Sequence, residues 1–188
     1  MGEERKEEPV LADLSSVFSE RRWPPVACHI FGNVVIVDSI SKMIYLSLSE
    51  DRKDKRIFTP YGGEVGYLDM EEFAEAAARE VKEETGGRVN PNSKDLTLLD
   101  LKVSYPTKEN DPYGGVILVI ASYVYPLKPG DIEPLVEEQI PEEGCNIVEI
   151  WKGTLSQLWE DVARENVNLY PNFVETLKKL EEWIKKNL

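Results

Sequence analysis

The stretch Gly62–Gly86 reads GGEVGYLDMEEFAEAAAREVKEETG and is the most informative part of the 188-residue chain. Residues 69–86 within it are predicted to form a helix. Asp69 is the predicted N-cap, because Glu72 three residues later completes a variant of the capping box, and Gly86-Gly87 is typical of a C-cap. At about 100° per residue, four small or apolar residues share the side expected to pack on a sheet: Ala74, Ala77, Val81 and Thr85.

Three carboxylates crowd another side of the same predicted helix. Glu80, Glu83 and Glu84 follow the spacing i, i+3, i+4 and fall within an arc of roughly 100°. Like charges at this spacing destabilise a helix, and the helix dipole disfavours anions near the C-terminal end. A cluster placed against both effects indicates that a cation binds there, and hard divalent cations such as Mg²⁺ take oxygen ligands. The alternative is a solvated acidic face in a Glu-rich chain.

The composition limits the other functions that the chain can have. It has 35 acidic against 22 basic residues, a net charge of −13. This excess argues against a non-specific nucleic-acid binder and against a protein that binds anionic membranes. No apolar run reaches the roughly 18–20 residues that span a bilayer, and the first residues, MGEERKEE, do not resemble a secretory signal. The predicted location is therefore the cytoplasm.

Histidine and cysteine chemistry has few residues to draw on. His29 is the only histidine and lies in the apolar run Val26–Val37, so it is interpreted as a residue on a strand face. Cys28 and Cys145 form no CxxC pair and are predicted to be plain buried thiols. If the protein is an enzyme, its acid–base work is expected to fall to carboxylates.

The rest of the sequence predicts one α+β domain. Residues 9–22 form a predicted amphipathic helix, because Leu11, Leu14, Val17 and Phe18 recur at helical spacing. We therefore divide the chain into an N-terminal arm, residues 1–25, and a domain, residues 26–188. Within that domain the predicted strands are Val26–Val37, Met43–Leu48, Ile57–Thr59, Leu96–Val103, Val116–Tyr125 and Ile147–Trp151. The predicted connections are a polar loop at Ser49–Arg56, a turn at Pro60-Tyr61-Gly62-Gly63 and an acidic loop at Pro126–Gly144, and the closing helices are Thr154–Asn166 and Pro171–Lys186.

The whole run from Arg79 to Gly86, REVKEETG, with Glu71 eight residues before Arg79, resembles the Nudix box, G-x5-E-x7-R-E-U-x-E-E-x-G-U, in which U is a bulky aliphatic residue. The specific match covers about 25 residues, and a looser architectural match covers about residues 26–186. The resemblance implies a single domain with the Nudix-type α/β/α sandwich and a mixed sheet.

Two positions depart from that box. Val65 stands six residues before Glu71, where the family has glycine, and Gly63 lies two residues further back. The loop before the helix therefore carries a two-residue insertion. Gly87 stands at the final aliphatic position, and Val89 is expected to take over its packing.

The resemblance also implies a function. Nudix enzymes hydrolyse the diphosphate linkage of a nucleoside diphosphate joined to another moiety, and Mg²⁺ or Mn²⁺ is the implied cofactor, which neutralises the phosphates and lowers the pKa of a water molecule. Glu80, Glu83 and Glu84 would be the catalytic residues and metal ligands, one of them orienting or deprotonating the water. Arg79 and Glu71 would form a structural ion pair that supports the motif.

Two further site residues are expected on weaker grounds. The backbone of Gly63 is a candidate metal ligand, because a backbone carbonyl of the family's glycine loop usually helps to bind metal. Glu143, which precedes the strand Ile147–Trp151, is the preferred candidate for an additional carboxylate, although a surface charge explains it equally well.

The sequence constrains the substrate less than the family. Tyr105 and Pro106 lie where dinucleoside-polyphosphate hydrolases tend to carry a tyrosine and slightly after the place where ADP-ribose pyrophosphatases tend to carry a proline. The stretch Tyr105–Tyr125 favours an ADP-ribose-like substrate by a small margin. A dinucleoside polyphosphate hydrolase and a non-hydrolytic Nudix-fold nucleotide-binding or regulatory module remain alternatives. A homodimer is also open, because family members are often homodimers and the helix at 9–22 would suit either a dimer contact or a cap on the domain.

Overall fold

The computed structural model describes residues 28–50, 56–65, 72–104, 117–134, 147–164, 168–169 and 173–188. Several predictions lie outside these residues and stay predictions: the helix at 9–22, the domain boundary at residue 25, Glu71, Cys145, and the positions of Tyr105, Pro106 and Glu143. The described strands are β1 (Cys28–Val37), β2 (Ile44–Glu50), β3 (Arg56–Thr59), β4 (Tyr61–Glu64), β5 (Thr97–Ser104), β6 (Ile117–Pro126), β7 (Ile147–Gly153) and β8 (Asn168–Leu169). The described helices are α1 (Phe73–Glu84), α2 (Leu155–Ala163) and α3 (Phe173–Asn187), with a 3-10 turn at Ser93–Asp95.

The described strands form one mixed sheet. Its order is β5-β6-β1-β2-β3-β8, with β4 paired to β1 and β7 paired to β2. β1 and β6 run parallel over ten residue pairs, from Cys28 opposite Ile117 to Val37 opposite Pro126. The second half of β1, Val34–Val37, is fully buried, as expected for a central strand that is covered on both faces.

Helices cover both faces of the sheet. On one face α1 packs through Ala77 and Val81 against side chains that include Val34, Ile36 and Tyr61. On the other face α2 and α3 contribute Leu158, Leu177 and Leu180 to a second cluster with residues such as Val35 and Leu46. Alternate residues of β1 thus enter different clusters, as the pleat of a strand requires. Three layers result, and the predicted α/β/α sandwich with a mixed sheet is confirmed.

The start of α1 differs from the prediction. The helix begins at Phe73 with Glu72 as its N-cap, not at Asp69. The backbone N–H of Glu72 donates to Glu75 Oε2 at 3.3 Å, which is one half of a capping box. The acidic sequence contains the same three-residue spacing twice, so the pattern fixes the type of cap but not its position. The helix ends at Glu84 with Thr85 as its C-cap, two residues before the predicted end, and Gly86 and Gly87 terminate it as predicted, with left-handed φ values of 60° and 79°.

The turn predicted at residues 60–63 is wrong, because Tyr61–Glu64 forms strand β4, which pairs antiparallel with β1. Gly62 serves a close approach between these strands, and Gly63 leaves room for a side chain of α1, so neither glycine reverses the chain. Gly62 has a φ of 149°, and a Cβ atom at this residue would lie 2.7 Å from the Cα atom of Asn33. A larger residue at Gly62 would therefore push the two strands apart.

The other predicted elements are found with shifted ends. β2 extends to Glu50 and β3 begins at Arg56, so both strands reach into the range predicted as a loop, Ser49–Arg56. α2 begins after Thr154, whose hydroxyl accepts from the backbone N–H of Gln157. His29 lies on β1 as expected, and Cys28 is a free thiol, partly rather than fully buried. Across the described ranges, no helix has the length and apolarity needed to cross a membrane.

Candidate active site

Small residues bring α1 close to the sheet. A Cβ atom at Gly32 of β1 would lie 2.6 Å from the carbonyl oxygen of Phe73 and 3.0 Å from the Cβ atom of Ala77. Ala77, Val81 and Thr85 are fully buried on the side predicted to pack. Ala74, at the start of that side, is only partly buried. The helix is therefore held against β1 and β4, and its acidic side is fixed relative to the end of β4.

Glu80 lies against Gly63 of β4. The side chain of Glu80 is only 10% exposed, and a Cβ atom at Gly63 would lie 2.5 Å from each of its carboxylate oxygens. The absence of a side chain at Gly63 is therefore what allows this carboxylate to lie on the strand. The structure thus brings together two residues that the resemblance to the Nudix box implies as ligands of one metal site.

Glu84 is fixed to the neighbouring glycine. The backbone N–H of Gly62 donates to Glu84 Oε2 at 2.8 Å. A hydrogen bond from a backbone N–H to a carboxylate is charge-assisted and stronger than one between neutral groups. Two consecutive glycines of β4 thus hold two of the three predicted metal ligands. The sequence does not predict this hydrogen bond, because the Gly62-Gly63 pair is equally typical of a turn.

Arg79 links the acidic side chains to the chain that leaves β4. Its Nη1 atom lies 2.7 Å from Glu80 Oε1 and 3.0 Å from Glu83 Oε2. Its Nη2 atom donates to the carbonyl oxygen of Glu64 at 3.3 Å. The predicted ion pair with Glu71 lies outside the described residues. Arg79 therefore offsets part of the repulsion between the clustered carboxylates.

Tyr61 of β4 packs beneath the acidic side chains, among the apolar residues of α1 and the sheet. It is fully buried, and its pKa is raised by burial and, to a smaller degree, by the negative charge of Glu84. The phenol therefore stays protonated at neutral pH. In the part of the chain that the structure describes, its hydroxyl has no hydrogen-bond partner.

His29 contacts the same end of β4 from the opposite face of the sheet. Its Nδ1 atom lies 2.7 Å from Glu64 Oε1, and both side chains are about half exposed, at 44% and 57%. Glu64 also accepts from Arg79 through its backbone. The single histidine therefore contacts Glu64, the residue that follows the predicted ligand Gly63. The prediction that His29 lies on a strand did not identify this partner.

The start of the acidic loop is fastened beside the end of α1. Arg88 Nε donates to the carbonyl oxygen of Glu133 at 2.7 Å, and the N–H of Ile132 donates to the carbonyl oxygen of Arg88 at 2.9 Å. Lys152 Nζ lies 2.6 Å from Glu133 Oε1 and 5.2 Å from the centre of the Tyr45 ring. These contacts fix residues 132–133, which directly precede the segment that carries Glu143.

The donor chemistry of the cluster suits a hard divalent cation. Carboxylates at Glu80, Glu83 and Glu84 and a carbonyl at Gly63 are the oxygen ligands that Mg²⁺ and Mn²⁺ prefer. Within the described ranges, no three His, Cys, Asp or Glu side chains are arranged to hold a metal ion. The guanidinium of Arg79 supplies positive charge to two of the carboxylates instead.

Comparison with known proteins places the chain in a family. The sequence profile of the NUDIX domain matches residues 34–173, which include α1, β4 and the second half of β1. No curated protein sequence matches the chain.

Solved structures share the fold at low sequence identity. A NUDIX hydrolase from Nitrosomonas europaea has a TM-score of 0.59 and 14% identity, over 82% of this chain and 88% of that one. A possible asymmetric diadenosine tetraphosphate hydrolase from Jonesia denitrificans has a TM-score of 0.60 and 16% identity, over 86% and 97% of the two chains.

A third similar structure is a bifunctional NMN adenylyltransferase/ADP ribose pyrophosphatase from Francisella tularensis, in complex with AMP and a Mn ion. It has a TM-score of 0.56 and 16% identity, over 89% of this chain and 45% of that one. At these identities the likeness supports the fold, while the sequence profile supports the family. The glutamate-bearing helix, the paired glycines of β4 and the profile match over most of the chain agree, and the chain belongs to the Nudix family of hydrolases.

Proposed function

We propose that the protein hydrolyses the diphosphate linkage of a nucleoside diphosphate joined to another moiety, in a reaction that depends on Mg²⁺ or Mn²⁺. The observation that carries the proposal is the placement of the box glutamates: Glu80 lies on Gly63 and Glu84 accepts from the N–H of Gly62. This arrangement fixes oxygen donors along β4, beside the acidic side of α1.

The chain's own residues have distinct parts in this reaction. Glu80, Glu83, Glu84 and the carbonyl of Gly63 would hold the cation, which when bound neutralises phosphate charge and lowers the pKa of a water molecule. Glu80 and Glu84 are held in place by β4, so they suit the role of fixed ligands. One of the three carboxylates accepts the proton of the attacking water, within hydrogen-bond reach of it.

The acidic loop supplies the proposed additional carboxylate, Glu143. Its support is the fastening of residues 132–133 to Arg88 and Lys152, which starts the loop beside the C-terminal end of α1. A carboxylate from this segment would provide a further anionic oxygen ligand for the same cation.

An ADP-ribose-like compound is the substrate that we favour by a small margin. Its support is the stretch Tyr105–Tyr125 and the fold shared with the Francisella protein, whose description includes ADP ribose pyrophosphatase, AMP and a Mn ion. The second candidate is a dinucleoside polyphosphate, which the Jonesia protein is described as hydrolysing. A small nucleotide also fits the net charge of −13, which disfavours nucleic-acid and membrane partners.

A substrate panel tests the activity. The protein is incubated with ADP-ribose, diadenosine tetraphosphate and nucleoside diphosphate sugars, each with Mg²⁺, with Mn²⁺ and with EDTA, and the products are separated by anion-exchange chromatography. We expect metal-dependent release of a nucleoside monophosphate from at least one compound, with ADP-ribose turned over fastest. Binding of these nucleotides without any turnover would instead establish the non-hydrolytic module.

Variants of the box test the site. Glu83→Gln and Glu84→Gln remove a charged oxygen donor and are each expected to lower kcat by about 100-fold or more, and Glu143→Gln is assayed beside them. Glu75→Gln is the matched control, because it makes the same change on the same helix and glutamine also completes a capping box. Full activity of both Glu83→Gln and Glu84→Gln would show that the site is elsewhere.

A further inference from the structure

Strand β5 carries a row of exposed apolar side chains. Leu98, Leu101 and Val103, together called the β5 stripe, are 53%, 56% and 49% exposed. β5 is the first strand in the sheet order, so its outer edge pairs with no strand in the part of the chain that the structure describes. A row of large apolar residues on an edge strand is a surface that proteins ordinarily cover.

The β5 stripe lies on the face of the sheet that carries α1. Leu101 pairs with Ala121 of β6, and Ala121 pairs with Gly32 of β1, which contacts α1. Leu98 pairs with Tyr123, which packs in the same cluster as Ala121. Helix α1 therefore covers the centre of this face but leaves the edge strand β5 exposed.

The opposite face of β5 is already covered by α3 and by the apolar cluster beneath it. Asp100 is buried there and accepts from Lys179 of α3, and Lys102 Nζ lies 2.7 Å from Glu175 Oε2 of the same helix. Asp100 and Lys102 thus contact a helix, and Leu99 packs against the apolar cluster on that face, while Leu98, Leu101 and Val103 face outward. This is the reverse of the pattern expected for a strand whose outer face meets water.

We propose that residues 9–22 of the same chain cover the β5 stripe. Leu11, Leu14, Val17 and Phe18 lie at the spacing of one helix side, so the segment offers a matching apolar surface. A helix of this length spans about 21 Å, and the β5 stripe spans roughly 17 Å. The other segment that adjoins β5, residues 105–116, has the polar sequence YPTKENDPYGGV and offers no such row.

β1 starts at the same end of the sheet at which β5 ends. Residues 1–27 precede Cys28, which pairs with Ile117 at the start of β6, while Ser104 at the end of β5 pairs with Leu118. Cys28 therefore lies about two strand spacings, roughly 10 Å, from the end of β5. Residues 23–27 can span up to about 17 Å, which is enough to bring residues 9–22 over the strand.

A double-mutant cycle tests the contact in the full chain. Leu14→Asp and Leu101→Asp place a charge on either side of the proposed interface, and each is expected to lower Tm by about 5 °C or more. Because either change alone would release the segment, the double variant should lose clearly less than the sum of the two single losses. Leu14→Ala and Leu101→Ala repeat the cycle with smaller changes if an aspartate variant fails to fold.

Two controls and one further measurement separate the possible occupants. Ser16→Asp adds the same charge on the opposite side of the predicted helix. Thr97→Asp adds it to β5 at an exposed residue that pairs with Val124 and lies on the face opposite the β5 stripe. Both variants should leave Tm nearly unchanged. Sedimentation velocity of the wild-type chain should show a monomer. Additive losses, or no loss from Leu14→Asp, would overturn the proposal, and a dimer that Leu101→Asp dissociates would identify a second copy as the occupant. None of these outcomes depends on whether the protein is a hydrolase.

Discussion

At Gly63, the absence of a side chain decides where a neighbouring carboxylate can lie. Glu80 is nearly buried, and its carboxylate contacts Gly63 of β4 and the guanidinium of Arg79. Charged groups are seldom buried unless they are paired. Gly63 and Arg79 together therefore explain why a glutamate is tolerated at this buried position of α1.

The first prediction concerns this contact. Gly63→Ala places a Cβ atom 2.5 Å from both carboxylate oxygens of Glu80, so it should lower the free energy of unfolding by about 1–3 kcal/mol and reduce activity. Glu80→Asp withdraws the carboxylate by one methylene group. We therefore expect the double variant to regain stability but not activity, as measured by urea unfolding and by the hydrolysis assay.

The cycle has a clear contrary outcome. If Gly63→Ala and Glu80→Asp lower the free energy of unfolding additively, then the two residues do not contact each other in solution. Wild-type activity in Gly63→Ala would in turn remove Glu80 from the proposed site.

The residue types at the site were predictable, whereas some of their contacts were not. The spacing of Glu80, Glu83 and Glu84 follows from helix geometry, so their common side could be predicted from the sequence. Gly62 and Gly63 were predicted as a turn because adjacent glycines serve both turns and close strand contacts. Only the partner strand, β1, distinguishes these uses, and it lies some 30 residues earlier in the chain.

Helix α1 combines a packing side, an acidic side and an arginine between them. Its packing side was predictable because alanine and valine recur with the helical period. The pairing of Arg79 with Glu80 and Glu83 was not, since an arginine can reach several acidic neighbours on a helix and the local sequence does not select among them. The N-cap moved from Asp69 to Glu72 for a similar reason, because the same acidic spacing occurs twice.

The prediction at this scale follows from the charge of Arg79. Arg79→Gln leaves Glu80 and Glu83 without this cation, so the metal-free protein should lose roughly 2–4 °C in Tm, a small loss because the pair is partly exposed. Mg²⁺ at saturating concentration should then raise Tm by more in this variant than in the wild type, because the ion replaces the missing charge. Thermal unfolding with and without Mg²⁺ measures both effects.

Lys82→Gln provides the matched control for that experiment. It removes one positive charge from the exposed side of the same helix and should leave the Mg²⁺-induced shift unchanged. An equal shift in Arg79→Gln and the wild type would mean that Arg79 and the cation do not share the carboxylates.

Across the whole molecule, the two faces of the sheet differ in the residues that they carry. The face covered by α1 carries the predicted ligands, and the face covered by α2 and α3 carries a larger apolar cluster with Leu158, Leu177 and Leu180. The strands that form this sheet were mostly predictable from their apolar runs. Strand β8, with only Asn168–Leu169, was not, because two residues show no period.

Because the predicted ligands and the larger apolar cluster lie on opposite faces, a substitution in the cluster should change stability without changing activity. Leu177→Ala removes a side chain that is 1% exposed and should lower the free energy of unfolding by about 2–4 kcal/mol. Well below Tm, its kcat and KM should match those of the wild type. Val174→Ala, on the same helix at a residue that is 40% exposed, is the control and should cost much less stability. A large change in KM for Leu177→Ala would show that the two faces are coupled.

The parallel pairing of β1 with β6 also has a consequence for how the protein forms during synthesis. Each residue of β1 has its partner nearly half the chain length away, on the far side of α1 and β5. Pairing over such a separation is slow compared with helix formation, because a long loop must close before the contacts stabilise it. The α1 segment also leaves the ribosome before β6, so a nascent chain carries the acidic residues of α1 before the strand that pairs in parallel with β1 has emerged.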